Sequence, residues 1–526
     1  MTLLLGATLI AQRNAPQTIP TSDTETKALA ATITADEMRE HLTVLAADDM
    51  EGRETGEPGQ KKAAEYLRRQ FAGLGLPAIG ENGGYYQTIL FRRQKWSDIS
   101  LEVNGEKRRH LWEFASAPSE NSSRDKLGID ELTFLGYGVD ADTYSDYDQA
   151  GNLKGKHLLI FAGEPTDDND DFLVSGGKQP SDWATTERKL KRAKEAGVAT
   201  VFVIDPAFKD NVVAIRKETL DGRMKMAETL ESDRETANVV YLTPQLAREI
   251  MGKKAKKVIK ARKKLQKSGK LKPVTVPVNL MLTQEKTVKE LVGENVLGYL
   301  EGRDPRLKDE VLVVSAHYDH VGMRGDNVFN GADDNGSGTT TVLEIAEAFV
   351  EAKKMGKGPR RSVLFLLVSG EEKGLLGSEY YASHPVFPLE NTIADINVDM
   401  VGRVDDEHLD NPYYIYVIGS DRLSTELHDI NERMNKQYTE LELDYTYNAE
   451  DDPNRYYYRS DHYNFAVKGI PSIFYFNGTH ADYHQASDTV DKINFEKMER
   501  IGRLIFHTAW QLANQDRRIE VDVKKR

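Results

Sequence analysis

Between Val311 and Asp488 the sequence sets out residues that commonly bind metals: His317 and Asp319, then Asp333 and Asp334, then Glu371 and Glu372, then Asp399, then His484. All are nitrogen or oxygen donors. Mixed imidazole and carboxylate sites in hydrolases most often hold zinc, and Mn or Co also suits such ligands. There is no cysteine, so thiolate sites, disulfides and a cysteine nucleophile are excluded.

Each piece is weak when taken alone. His317 follows an apolar run, and Asp319 two residues on could hydrogen-bond its second ring nitrogen, as carboxylates often do behind a metal-bound imidazole. By itself a His-x-Asp would suit an ordinary surface histidine. In Gly331-Ala332-Asp333-Asp334-Asn335-Gly336-Ser337-Gly338 the glycines permit a sharp turn. Asp333 could bridge two cations there, although a calcium loop or a plain Asx-rich turn has the same composition. The spacing is not that of an EF-hand.

Glu371 and Glu372 follow another strand-like run. Adjacent carboxylates repel unless something cationic lies between them. One can ligate a metal while the other takes a proton from attacking water, and the competing reading is a helix start that favours Glu. Asp399 ends an apolar stretch, where a carboxylate is costly unless paired or ligating. His484 offers the second imidazole, with His480 as the alternative. Together these residues offer donors for two metals that share one carboxylate, with a spare Glu as base.

These residues need elements to place them. Thr34-x-x-Glu37 fits a capping box, with Met38, Leu42 and Leu45 at helical spacing behind it. After the turn-rich residues 51–59 a second helix carries Ala63, Ala64, Leu67 and Phe71 on one face. From about 98 the texture changes to short strands, with a helix over 187–197 that leads into the strand Ala199–Ile204. After about 290, apolar runs (Val311–Ala316, Ser362–Val368, Ile393–Asn397, Tyr414–Ile418, Ser472–Tyr475) alternate with helical stretches. That alternation predicts an α/β fold with a mostly parallel mixed sheet flanked by helices, and sites in such sheets lie at the carboxyl ends of strands. Every candidate ligand lies just past such an end or in a loop able to return to it.

The 526 residues include 70 basic and 84 acidic side chains, a net charge of −14, which disfavours a nucleic-acid partner. The one basic run, 253–272, reads as a solvated helix. No apolar run is long enough to span a bilayer, so no stable membrane insertion is expected. Residues 3–11 resemble the apolar part of a signal peptide without its basic start, which points to export, periplasmic or secreted.

The motifs Ser-Ala-His317-Tyr-Asp319-His, Asn-Gly-Ala-Asp333-Asp334-Asn-Gly-Ser-Gly, Glu371-Glu372-Lys-Gly-Leu-Leu-Gly-Ser, Asn-Val-Asp399-Met and Tyr-His484-Gln-Ala-Ser-Asp-Thr resemble the two-zinc aminopeptidase and glutamate carboxypeptidase-like metallopeptidases of the MH clan. That group also includes catalytically dead transferrin receptors. The resemblance spans about residues 290–515. It implies a zinc exopeptidase fold with two zinc ions (Mn or Co also possible). Asp333 would be the bridge, with a cis bond to Asp334. His317 and Asp399 would hold one metal, Glu372 and His484 the other. Glu371 would be general base and then general acid, and Asp319 would orient His317. Arg455-Tyr456-Tyr457-Tyr458-Arg459-Ser460-Asp461-His462 is similar to that family's Ser-Asp-His segment and points to Tyr457 as the oxyanion stabiliser, with His462 tethering the loop.

The stretch around 132–206, with Gly136-Tyr137-Gly138, Leu153–Lys156 and Ala193–Gly197, resembles a protease-associated (PA) domain, an α+β, β-rich insert. The expected organisation is a leader and linker over 1–31, a peptidase domain from 32–97 and 290–515, an insert over 98–289 and a charged tail over 516–526. The implied activity is removal of N-terminal residues from peptides. A glutamate carboxypeptidase-type enzyme needs cations for the substrate carboxylate, and only Arg455 and Arg459 are near. A glutaminyl-cyclase-like acyltransferase lacks such an insert, and a non-catalytic receptor should have lost ligands or the base. Oligomeric state and side-chain preference are not encoded in these motifs.

Overall fold

A computed structural model describes residues 22–229 and 236–523. The leader-like residues 3–11 lie outside them. The chain divides into two compact units, one built from residues up to Leu90 and from Val292 onward, the other from Phe91–Leu291.

In the first unit the strands line up as Glu442–Asp444, Tyr414–Ile418, Ser472–Phe476, Thr392–Val398, Val311–His317, Ser362–Val368 and the end of Val274–Leu300 from residue 292. The four central neighbours, from Ser472–Phe476 to Ser362–Val368, are parallel. Antiparallel pairing enters on either side of them. Val311–His317, Ser362–Val368 and Thr392–Val398 are buried along their whole length. That explains why they read as continuous apolar runs, because helices cover both faces of a parallel sheet.

On one face Leu312, Val314 and Ala316 join a core with the helices Ala35–Leu45, Gly338–Lys354 and Phe495–Asn514. On the other, Val311 and Val313 meet Tyr381 of helix Leu376–Ser383 and Phe465 of helix His462–Val467. The Thr34 side chain caps Ala35–Leu45 by accepting from Glu37 N, and Met38, Leu42 and Leu45 are buried. The second helix spans Pro58–Gly73 and buries Ala63, Ala64, Leu67 and Phe71.

The second unit has its own core. Arg124–Phe134, His157–Phe161, Thr200–Ile204 and Asn238–Leu242 run parallel side by side, with helices that include Thr186–Glu195, Pro244–Met251 and Ala255–Ser268. The Gly136-Tyr137-Gly138 turn wraps Asp146, whose carboxylate accepts from Tyr137 N and Val139 N. Gly136 has φ +57°, and a Cβ there would strike that carboxylate. The basic run forms the helix Ala255–Ser268, with Val258 and Leu265 inward and its lysines facing out. Among the described residues no helix is long and apolar enough to cross a membrane.

One buried carboxylate in the first unit faces a histidine rather than a lysine or arginine. Glu344 of Gly338–Lys354 is 2% exposed, and burial, with Glu37 nearby, pushes its carboxyl up to about 8. The facing His41, 3.7 Å away, is itself pushed down by burial. Raised above its unfolded value, Glu344 favours folding while protonated, so this contribution is complete below about 4.5 and lost as pH rises through about 8. Glu344→Gln is therefore expected to raise the melting temperature at pH 9 by about 2–4 °C and to leave it nearly unchanged at pH 4.5. A thermal melt series across that range checks it, and equal shifts at both ends would refute it.

Candidate metal centre

The parallel strands Thr392–Val398, Val311–His317 and Ser362–Val368 end on the same edge of the sheet. His317 is the last residue of its strand, Asp399 follows the last residue of its own, and Glu371 and Glu372 come three and four residues after Val368. The strand Ser472–Phe476, parallel to Thr392–Val398, leads to the loop with His480 and His484. The Asp333-Asp334 loop opens the helix Gly338–Lys354. Helix Ala35–Leu45 packs on that loop at Gly336, where a Cβ would stand 2.5 Å from Leu42 Cδ1.

His317 Nδ1 lies 3.1 Å from the backbone carbonyl of Asp319. A carbonyl only accepts, so this contact requires a proton on Nδ1 and turns Nε2 toward the carboxylates. The Asp319 carboxylate itself is farther, at 3.8 Å. It accepts instead from Thr55 Oγ1 at 2.7 Å and from Glu371 N at 3.3 Å. Asp319 thus orients His317 through its carbonyl, while its side chain supports the Glu371 backbone.

The expected bridge, Asp333, does not face the imidazoles of His317 and His484. Its Oδ1 accepts from Gly402 N at 2.7 Å and Ser337 Oγ at 3.0 Å, and its Oδ2 lies 3.1 Å from His480 Nε2. Both oxygens are thus engaged within the loop scaffold. Asp334 takes the central place: its Oδ1 is 3.4 Å from His317 Nε2 and its Oδ2 is 2.9 Å from His484 Nε2. The cis peptide joins Asp334 to Asn335, not Asp333 to Asp334. Asp488 holds the turn by accepting from the backbone N–H of both Asp333 and Asp334. His480 is thereby assigned to Asp333 and His484 to Asp334.

The remaining donors fall into two groups. Around His317 Nε2 stand Asp399 Oδ1 at 3.3 Å and Glu371 Oε2 at 3.9 Å. Around Glu372 Oε1 stand His484 Nε2 at 3.2 Å and a residue that sequence reasoning passed over, His320, with Nδ1 at 2.9 Å. Candidate donor atoms within each of two sets, His317–Glu371–Asp399 and His320–Asp334–Glu372, lie within 4.8 Å of one another.

Tyr457 is not at this site. Its ring packs against Arg422, His462 and Tyr463. The cleft over the candidate metal-binding groups is lined by Tyr456, Tyr483 and Arg459 beside His317, Asp334, Glu371 and Asp399. Residues 456–458 form a 3-10 turn in which Tyr456 is the buried residue. Tyr483 stacks on His484 with ring centres 3.9 Å apart. Arg53 was also missed. Buried at 1% exposure, it donates to the carbonyls of Leu45, Tyr318, Asn330 and Gly331. It so ties together the two loops that carry His317 and Asp334.

The electrostatics fit a cation. Burial by itself would lower His317, yet Asp399 and Glu371 hold it well above its usual value. His484 is likewise opposed by burial and raised to about 10 by Asp334 and Glu372. Burial raises Glu371 far above the carboxylate range, with Glu372 and Asp399 adding to it against His317. Burial opposes ionisation of Glu372 too, but His320 and His484 pull it well below. Glu372 Oε1 is buried and, among the described residues, makes no hydrogen bond of good geometry, which suits an atom that ligates a metal. Asp334→Asn is expected to abolish tight metal binding, whereas Asp333→Asn weakens it by no more than the ~10–100-fold of a supporting residue. Metal content after equilibrium dialysis decides between them, and the reverse order would restore Asp333 as the bridge.

Comparison with known proteins gives this geometry a context. A "Probable leucine aminopeptidase" of Arthroderma otae is 30% identical over 216 residues, 40% of this chain and 56% of the relative. Aminopeptidase YwaD of Bacillus subtilis is 25% identical over 233 residues, 43% of this chain and 46% of the relative. The matched segment thus spans only about half the length of these curated relatives. Among solved structures, an aminopeptidase from Aneurinibacillus sp. strain AM-1 superposes with TM-score 0.56 at 19% identity, over 95% of this chain and 98% of that one. A zinc aminopeptidase from Bacillus subtilis gives TM-score 0.50 at 18% identity, over 94% and 99%. The fold is therefore that of these α/β structures. Residues 295–509, a segment that contains every candidate metal donor described above, match the profile of Peptidase family M28.

Proposed function

We propose that this chain is a zinc exopeptidase that hydrolyses the N-terminal peptide bond of peptides at a two-metal centre. The observation that carries the proposal is Asp334, whose two oxygens face two different imidazoles, His317 and His484. His317 and Asp399 would hold one ion, Glu372 and His484 the other, with Asp334 shared. Bound zinc supplies Lewis acidity that polarises a carbonyl and acidifies water.

The chain's own residues do the rest. Glu371 stands at the cleft beside the His317 group, with a carboxyl that burial raises. A raised carboxyl suits a group that accepts a proton from the attacking water and returns it to the leaving amine. Asp319 holds the Glu371 backbone and the His317 tautomer. Tyr483, which lines the cleft and stacks on His484, is placed to donate a hydrogen bond to the developing oxyanion. The acidic cleft of Asp334, Glu371 and Asp399 favours a substrate ammonium. The likeness to aminopeptidases supports the same choice.

One observation favours a second reading. Arg459 lines the cleft, and a carboxypeptidase needs such a cation for the substrate's terminal carboxylate. Arg455, by contrast, packs over Tyr458. A panel of peptides free or blocked at each end separates the two readings.

Glu371→Gln should lower kcat on aminoacyl-nitroanilides by about 10²–10⁴-fold and leave zinc content unchanged. Wild-type turnover in that variant would remove Glu371 as the base. Tyr483→Phe should lower kcat by about 10²–10³-fold with little change in KM, while Tyr457→Phe should act within a few-fold of wild type. Arg459→Ala should leave anilide cleavage nearly intact. If it instead abolishes cleavage of peptides with a free carboxyl end, the carboxypeptidase reading replaces the aminopeptidase one.

A further inference from the structure

His320 is fully buried, three residues beyond His317, on the same strand-end loop. Its place is set by contacts on several sides. Its backbone N–H donates to Arg53 O at 3.2 Å. Its ring packs on Gly331, where a Cβ would approach Cδ2 to 2.5 Å. The ring therefore cannot swing away from the site without disturbing the Asp334 loop.

A buried imidazole normally hydrogen-bonds through at least one nitrogen. Among the described residues neither Nδ1 nor Nε2 of His320 makes a hydrogen bond of good geometry, and neither does Glu372 Oε1. Yet Nδ1 and Oε1 are 2.9 Å apart. Two acceptor-capable atoms that approach this closely without hydrogen-bond geometry are placed as two donors to one ion would be.

Four side chains share that point. His320 Nδ1 is 2.9 Å from Glu372 Oε1 and 3.8 Å from Asp334 Oδ2; His484 Nε2 is 2.9 Å from Asp334 Oδ2 and 3.2 Å from Glu372 Oε1. A tetrahedral zinc with N and O ligands at roughly 2.0–2.1 Å has ligand edges of roughly 3.3 Å, which these spacings bracket. Around His317 Nε2 the corresponding neighbours are only Asp334 Oδ1 at 3.4 Å and Asp399 Oδ1 at 3.3 Å, with Glu371 Oε2 more distant at 3.9 Å.

We propose that His320 is a metal ligand, the fourth protein donor of a site formed with Asp334, Glu372 and His484. This rests on the zinc reading above and divides the labour within it. Four protein ligands close a zinc site in the manner of structural centres, and three leave a position open. The His320 site is therefore the holding site and fills first. The His317 site keeps the vacancy that a water or a substrate carbonyl needs. Glu371, whose Oε2 lies 3.9 Å from His317 Nε2, stands on that open side.

Zinc K-edge absorption on the purified full chain, reloaded with one equivalent of zinc, tests this directly. The expected count is two imidazoles per zinc in the wild type and one in His320→Asn and His320→Ala. The tight dissociation constant should rise by more than the ~100-fold that loss of a merely supporting contact causes. One imidazole in the wild type overturns the proposal by itself, whether or not the variants fold. Unchanged counts in variants whose metal-free melting matches wild type overturn it as well. Saturation at a single zinc would remove the two-metal reading, and the imidazole count of that zinc would still decide the place of His320.

Discussion

The first unit is organised around a concentration of buried negative charge. Asp319, Asp334, Glu371, Glu372 and Asp399 meet at one sheet edge, largely out of water. Two like charges 4 Å apart repel by about 4 kcal/mol at an effective dielectric near 20. Such a cluster persists only if cations enter it or protons are taken up. His317 and His484, beside these carboxylates, are held above their ordinary range for that reason. A metal would replace those protons, so binding couples to proton release.

The supporting layer follows from the same constraint. Carboxylates that repel must be pinned by bonds that do not depend on the ion. Asp488 holds the backbone of Asp333 and Asp334; Ser337, Gly402 and His480 occupy Asp333. Ser460 donates to Asp399 Oδ2 at 2.6 Å and itself accepts from Asn397. Arg53 is a guanidinium buried against these loops. Burial lowers it to about 10 while Asp334, Asp319 and Asp488 oppose that shift. Its four carbonyl acceptors fix the loops mechanically, and its charge offsets part of the acidic cluster.

Much of this was legible in the residues. The strands at Val311, Ser362 and Thr392 read as apolar runs because both faces are covered, and their common direction puts His317, Glu371 and Asp399 on one edge. Capping at Thr34 and the inward face of Pro58–Gly73 followed from periodicity. The choice between Asp333 and Asp334 did not. The two residues are chemically identical neighbours, and the turn around Asn335 decides which carboxylate points into the cleft. Tyr457 lost its place to Tyr456 and Tyr483 for a similar reason, since one residue along a 3-10 turn redirects a side chain by about a third of a turn. His320 was visible in the motif but carried no signal of its own, because an imidazole three residues after a ligand can point anywhere.

The sequence by itself determined the kind of chemistry: donors of nitrogen and oxygen only, no thiol, a carboxylate pair suited to base work, and a sheet whose strand ends would collect them. These properties are local, carried by residue type and by periods of two and 3.6 that any strand or helix must obey. Only the tertiary structure decided which donor faces which. It set Asp334 rather than Asp333 between the imidazoles, His480 behind and His484 in front, and His320 against Glu372. Those distinctions depend on contacts between residues far apart in the chain, such as Asp488 with Asp333, 155 positions away, and on backbone turns that aim side chains. Spacing along a chain does not specify either one.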